Sequence, residues 1–98
     1  MKHIEKMIDH IDEELDGAAE YAECYIKSKS RGHSSRAAKY KSMAEDELIH
    51  ADNIKEFAAA DVEEIKRVYK LPEEVEEHWE KAHKRFTERI ALIKYMLN

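Results

Sequence analysis

The sequence predicts an all-α fold in a single domain, residues 1–98. Helix-forming residues such as Ala, Glu, Lys, Leu and Ile are abundant, whereas glycine and proline total only 2 and 1. Apolar residues recur at spacings of three and four, the period of one helix face, and no stretch alternates as a half-buried strand would. A chain of 98 residues is short enough that oligomerisation would help it to bury a core.

Composition excludes several classes of protein. Charged residues make up 40% of the chain, and the net charge of −5 gives no support for nucleic-acid binding as a main role. No apolar run approaches the ~20 residues of a membrane span, and the charged N-terminus does not resemble a signal peptide. Cys24 is the single cysteine, which excludes a disulfide within the chain. We therefore expect a cytoplasmic protein in which Cys24 is a small, partly buried residue.

The first predicted helix runs from about His3 to about Lys29. Its apolar stripe also carries two polar residues, Glu14 and Tyr21. Gly17, one turn after Glu14, is a poor helix former, and its small size leaves room beside that carboxylate. Gly32 suits the turn that ends the helix. The apolar residues of the stripe are Ile4, Met7, Ile8, Ile11, Leu15, Ala18, Ala22, Tyr25 and Ile26.

The second predicted helix starts near Ser35 and continues to about Tyr69, either as one piece or with a break near Ala58–Asp61. Glu47 and His50 lie on its apolar stripe, where an unpaired carboxylate is costly to bury. Glu-x-x-His projecting into a helix bundle is half of the motif that builds carboxylate-bridged di-iron and di-manganese sites. The apolar residues of the stripe are Tyr40, Met43, Ala44, Ala51, Ile54, Phe57 and Ala58.

The third predicted helix follows Leu71, with Pro72 at its first position. It contains a second Glu-x-x-His, Glu80 and His83, but these two lie beside its apolar stripe. If the second turn centres near residue 71, the level of Glu47 and His50 meets this helix near residue 93, where it holds no acidic residue. We therefore predict that Glu80 and His83 are not metal ligands. The apolar residues of the stripe are Val75, Trp79, Ala82, Phe86, Ile90, Ile93 and Leu97.

The spacing of the first two helices predicts that three ligand-type side chains meet. In an antiparallel hairpin, residues equally distant from the turn lie at the same height. The midpoint of Glu14 and Glu47 falls inside the turn segment Ser28–Ser35, so these two carboxylates face each other, with His50 one turn along. The alternative is that Glu47 and His50 pair with each other or with basic residues at an oligomer interface, where Glu14 accepts a hydrogen bond.

Two segments carry a resemblance to the ferritin-like superfamily, in particular to its half-length, rubrerythrin-like and encapsulated-ferritin-like members. They are Glu-Glu-Leu-Asp-Gly-Ala-Ala-Glu-Tyr, ending at Tyr21, and Ala-Glu-Asp-Glu-Leu-Ile-His, ending at His50. The resemblance covers roughly residues 10–58. It places Glu14 at the family's first metal-binding Glu, Tyr21 at its nearby Tyr, and Glu47 with His50 at its Glu-x-x-His. A full ferritin-like bundle has two metal-binding Glu residues and two Glu-x-x-His elements, whereas this chain supplies one of each.

The resemblance implies a homodimer, or a larger ring built from dimers, in which two hairpins form a four-helix bundle around one di-iron site. Glu47 of each chain would bridge the metals, while Glu14 and His50 would bind one metal each. Flanking acids such as Glu13 and Asp16 would guide cations towards the site. Tyr21 would either pack in the core with its hydroxyl near the site or take a direct redox role.

The implied function is that of a ferroxidase-type oxidoreductase, which oxidises Fe(II) with oxygen or peroxide for iron storage or detoxification. Manganese is the alternative metal. Some members of the family are held inside protein shells, but no appended cargo-targeting peptide follows the last predicted helix, so encapsulation is unsupported. The alternative from a different class is a non-catalytic helical interaction or assembly module of the kind that a prophage encodes.

Overall fold

A computed structural model describes residues 2–98 as three helices, α1 (Lys2–Ser30), α2 (Ser34–Val68) and α3 (Glu73–Met96). The all-α prediction is confirmed for these residues, and the predicted ends of the first two helices are correct to within one residue. α2 runs without a break through its 35 residues. The three helices form a rod of 55 × 18 × 17 Å. Within the described residues, no helix is both long enough and apolar enough to cross a membrane.

The turn between α1 and α2 is made by Gly32, as predicted. Its φ of 75° lies in the left-handed region, which glycine adopts without a steric cost. The N–H of Gly32 donates to the carbonyl of Lys29 at 3.1 Å, and the N–H of His33 donates to that of Ser28 at 2.9 Å. These two bonds form a Schellman motif, which satisfies carbonyls left free at the end of α1.

The start of α3 differs from the prediction by one residue. Pro72 lies immediately before the helix, which begins at Glu73. The carbonyl of Pro72 accepts hydrogen bonds from the N–H groups of Val75 and Glu76, each at 3.0 Å. Pro72 is suited to this place because it has no N–H of its own to satisfy.

α1 and α2 form the antiparallel pair that carries most of the core. Their contact surfaces include fully buried alanines, Ala18 and Ala22 on α1 and Ala44 and Ala51 on α2. Small side chains at these positions allow the two helix backbones to approach closely. The close approach brings polar groups on the edge of the same interface within reach of one another.

α3 lies along α1 and runs parallel to it. Arg85 contacts Asp12 at 2.9 Å and Arg89 contacts Asp16 at 2.8 Å, so both partners advance by four residues from one pair to the next. Phe86, between the two arginines, is fully buried. Because Asp12 and Asp16 are each two residues from Glu14, they lie about 160° around α1 from it. α3 therefore covers the side of the hairpin that faces away from Glu14.

The position of α3 changes which residues of the hairpin are buried. Met43 and Phe57 belong to the predicted apolar stripe of α2, but 41% and 62% of their surfaces are exposed. Leu48 and Val62, which the stripe omitted, are buried instead. Leu48 lines a groove with residues of α3, so burial on α2 has shifted towards the side where α3 docks. Ile26, near the end of α1, is also exposed contrary to the prediction.

Candidate metal centre

The structure brings Glu14, Glu47 and His50 together at one level of the α1–α2 interface, as the hairpin spacing predicts. One ligand atom from each of the three lies within 4.8 Å of those of the other two. Glu14 and Glu47 are half-buried, whereas His50 is exposed. No other group of three His, Cys, Asp or Glu side chains within residues 2–98 comes as close together.

Glu14 is the central residue of this cluster, because each of its carboxylate oxygens faces an imidazole. His10 Nε2 lies 3.3 Å from Oε1, and His50 Nδ1 lies 3.5 Å from Oε2. Oε2 is buried, yet among the described residues it has no hydrogen-bond partner. A buried carboxylate oxygen without a donor costs free energy, so this atom requires a proton or a cation nearby.

Gly17 makes the space that the cluster occupies. A Cβ atom at position 17 would lie 3.2 Å from Glu47 Oε2, which is closer than most real Cβ contacts. The sequence suggested that Gly17 leaves room beside Glu14. In the structure that room is taken by the carboxylate of Glu47, which reaches across from α2.

Each of the two carboxylates shifts the pKa of the other. The pKa of Glu47 is raised above 4.5, first by its hydrogen bond to Glu14, then by burial and by the negative charge of Glu14. The pKa of Glu14 is lowered, first by the same hydrogen bond and then, against the effect of burial, by the charges of His50 and His10. The neutral form of Glu47 is therefore favoured beside the charged form of Glu14, because a protonated Glu47 can donate a hydrogen bond to that carboxylate.

The other ligand-type residues named from the sequence lie apart from the cluster. Glu80 and His83 are exposed and line a shallow pocket with Ala59 and Glu63, three turns of α2 beyond Glu47. The His83 ring lies 5.4 Å from that of Trp79. This placement agrees with the prediction that Glu80 and His83 lie apart from the main cluster.

The two flanking acids differ in their contacts. Arg89 of α3 binds the Asp16 carboxylate at 2.8 Å, and the expected role of Asp16 in guiding cations stays a prediction. Glu13 is exposed, and its proposed role stays a prediction. Tyr21 is half-buried, with its ring stacked on that of Tyr40 at 6.4 Å, so the ring forms part of the core as expected.

His10 is the residue of this centre that the sequence reasoning missed. It lies on the flank of the α1 stripe, four residues before Glu14. Residues four apart on a helix are neighbours, so the spacing of His10 and Glu14 was the signal that could have identified it.

The side of the cluster that faces away from α3 carries exposed apolar side chains. Met43 lies one helical turn before Glu47, and Phe57 lies two turns after His50, so both share the side of α2 that carries the cluster. Met43 and Phe57 are large and more than one-third exposed. The ligand cluster therefore opens onto a partly apolar surface.

No protein-family profile, curated protein or solved structure matches this chain. The case for a function therefore depends on the geometry and chemistry of the cluster.

The donor set fits a first-row divalent metal ion. Carboxylates suit hard ions such as Mn²⁺, and imidazole adds affinity for Fe²⁺ and Zn²⁺. Two observations favour a cation here: the buried Oε2 atom of Glu14 has no hydrogen-bond partner among the described residues, and ligand atoms of Glu47 and His50 lie within 4.8 Å of those of Glu14. One chain offers two carboxylates and one imidazole, which leaves coordination positions open.

Proposed function

We propose that this chain is a ferritin-like di-iron protein that oxidises Fe(II), with its metal site completed by a second copy of the chain. The single observation that carries the proposal is the convergence of Glu14, Glu47 and His50, with one buried Glu14 oxygen that lacks a partner. His50 Nδ1 lies 3.5 Å from this oxygen, beyond the usual length of an N–H···O hydrogen bond. A cation bound between the three side chains would satisfy it.

The need for a second copy follows from the number of ligands. Di-iron and di-manganese carboxylate bundles use one Glu from each of two helices and a Glu-x-x-His from each of two others. This chain has one inward Glu, Glu14, and one inward Glu-x-x-His, formed by Glu47 and His50. A two-fold dimer would double this set to four carboxylates and two imidazoles, and an isologous interface is the commonest way to do so.

The exposed surface around the cluster supports this arrangement. α3 leaves the side that carries the cluster uncovered, and Met43 and Phe57 on that side are apolar and exposed. A second hairpin placed against it would bury these side chains and bring its own three ligands opposite the first set. In such a dimer, Glu47 would bridge two metal ions, while Glu14 and His50 would each hold one.

Each residue of the site then has a separate task. Iron bound here would supply electron transfer to oxygen or peroxide. Glu14 and Glu47 provide the negative charge that favours Fe(III) over Fe(II), and so favour oxidation. His50 is exposed, so its ring can reorient to bind an ion arriving from solvent. A cation bound beside Glu14 would favour the charged form of Glu47, because carboxylates bind metal ions in their deprotonated form.

The test is an anaerobic titration of metal-free protein with Fe(II), followed by the addition of oxygen. We expect one Fe(II) bound per chain, an oxygen-dependent absorbance change, and a shift from monomer to dimer in sedimentation. Glu47→Ala should abolish tight binding, whereas Glu56→Ala, which removes an exposed carboxylate from the same helix, should leave it intact.

Two outcomes would contradict the proposal in different ways. Protein that binds neither iron nor manganese, and whose stability is unchanged by either, would favour a non-catalytic helical interaction module. A monomer that holds two tightly bound irons would retain the di-iron function but remove the shared site. The same titration with Mn(II) distinguishes the two candidate metals by their relative affinities.

A further inference from the structure

His10 is not part of the ligand group of three, but it contacts the central residue of that group. Its Nε2 atom lies 3.3 Å from Glu14 Oε1, and 55% of its side chain is exposed. His50 faces the other oxygen, Oε2, at 3.5 Å. The carboxylate of Glu14 therefore lies between two imidazoles that belong to different helices and approach opposite oxygens.

The two oxygens of Glu14 differ in environment. Oε1 has a potential N–H donor in His10, whereas Oε2 is buried and has no hydrogen-bond partner within residues 2–98. A carboxylate that rotated freely could present either oxygen, or neither, to an ion in the cluster. A donor on Oε1 fixes the rotation and directs Oε2 towards Glu47 and His50.

We propose that His10 is a positioning residue for the metal site: its Nε2–H group donates to Glu14 Oε1 and holds Oε2 in place for the metal ion. This inference rests on the proposed metal-binding function. Partners of this kind orient the ligands of protein metal sites, and their removal typically weakens metal binding by about 10–100-fold. Because His10 is largely exposed, we expect an effect near the lower limit, about 10-fold.

The chain offers matched variants. His10→Ala removes the donor. His10→Gln retains a side-chain N–H group four residues before Glu14 and should restore most of the affinity. His3→Ala is the control, because His3 is an exposed histidine of the same helix whose partner is Asp61, at 2.7 Å, outside the cluster. Both positions lie on α1, so circular dichroism can confirm that the three variants have equal helix content.

The experiment is a titration with Co(II), whose visible absorption reports coordination geometry. We expect His10→Ala to weaken Co(II) binding about 10-fold without changing the band shape, with His10→Gln and His3→Ala close to wild type. Unchanged affinity in His10→Ala would overturn the proposal. A changed band shape would overturn it as well, because His10 would then be a direct ligand. Failure of the wild-type protein itself to bind Co(II), Fe(II) or Mn(II) would instead contradict the metal-binding function.

Discussion

Replacing Glu47 with Gln should have opposite effects on the metal-free and the metal-bound protein. The ligand atoms of Glu14 and Glu47 lie within 4.8 Å of each other. Two unit charges at that distance repel by about 1 kcal/mol in bulk water and by about 3.5 kcal/mol at an effective dielectric constant of about 20. The Gln amide removes this repulsion and can still donate a hydrogen bond to Glu14.

The stabilisation of the metal-free protein by Glu47→Gln should increase with pH. Because the folded-state pKa of Glu47 is raised above 4.5, its protonated form stabilises the fold at low pH, and this stability is lost as the pH rises through the folded-state pKa. Glu47→Gln should therefore match wild type near about pH 4 and exceed it at about pH 8. Both carboxylates are half-buried, so solvent screening places the expected gain at about 1–2 kcal/mol.

The assay is urea unfolding followed by circular dichroism, with chelator present and at a single protein concentration. A gain of 1–2 kcal/mol moves the midpoint by roughly 0.5–1 M urea for a protein of this size. Added metal should reverse the order, because a ligand at about 100 times its Kd stabilises wild type by about 2.7 kcal/mol and the variant by much less. Equal midpoints for the two proteins at both pH values would refute the inferred carboxylate pair. Glu56→Gln is the matched control and should show neither effect.

Four further results are expected. His50→Ala should abolish tight Fe(II) binding in anaerobic titration and change stability by less than about 0.5 kcal/mol, because the side chain is exposed. Gly17→Ala should stabilise the metal-free protein by up to about 1 kcal/mol, because alanine has the higher helix propensity. It should also weaken metal binding, because the new Cβ displaces the Glu47 carboxylate. Thermal melts with and without metal separate the two effects. Glu80→Ala and His83→Ala should leave the iron stoichiometry unchanged, and loss of half the iron in either would show that α3 supplies ligands. Sedimentation of metal-free and iron-loaded protein should show dimer only, or mainly, in the loaded sample.

Local and periodic features of the sequence were sufficient to predict the three helices and the register of the α1–α2 hairpin. Gly32 specifies where α1 ends, because glycine adopts its φ of 75° without strain. The rise per residue of a helix is constant, so equal distances from that turn bring Glu14 and Glu47 to the same height. The cluster could be located from the sequence because both of these constraints act within a single hairpin.

The environment of each side chain depended on contacts between helices that the spacing does not encode. Hydrophobic periodicity locates a face to within a broad angular range, and the docking side of α3 decided that Leu48 is buried while Phe57 is exposed. The same docking gave Asp16 an arginine partner. The approach of α2 to α1 placed the Glu47 carboxylate opposite Gly17. These outcomes depend on the distances between helices and on which helix covers which flank. Both are set by packing in the whole core, so the apolar pattern of a single helix cannot predict them.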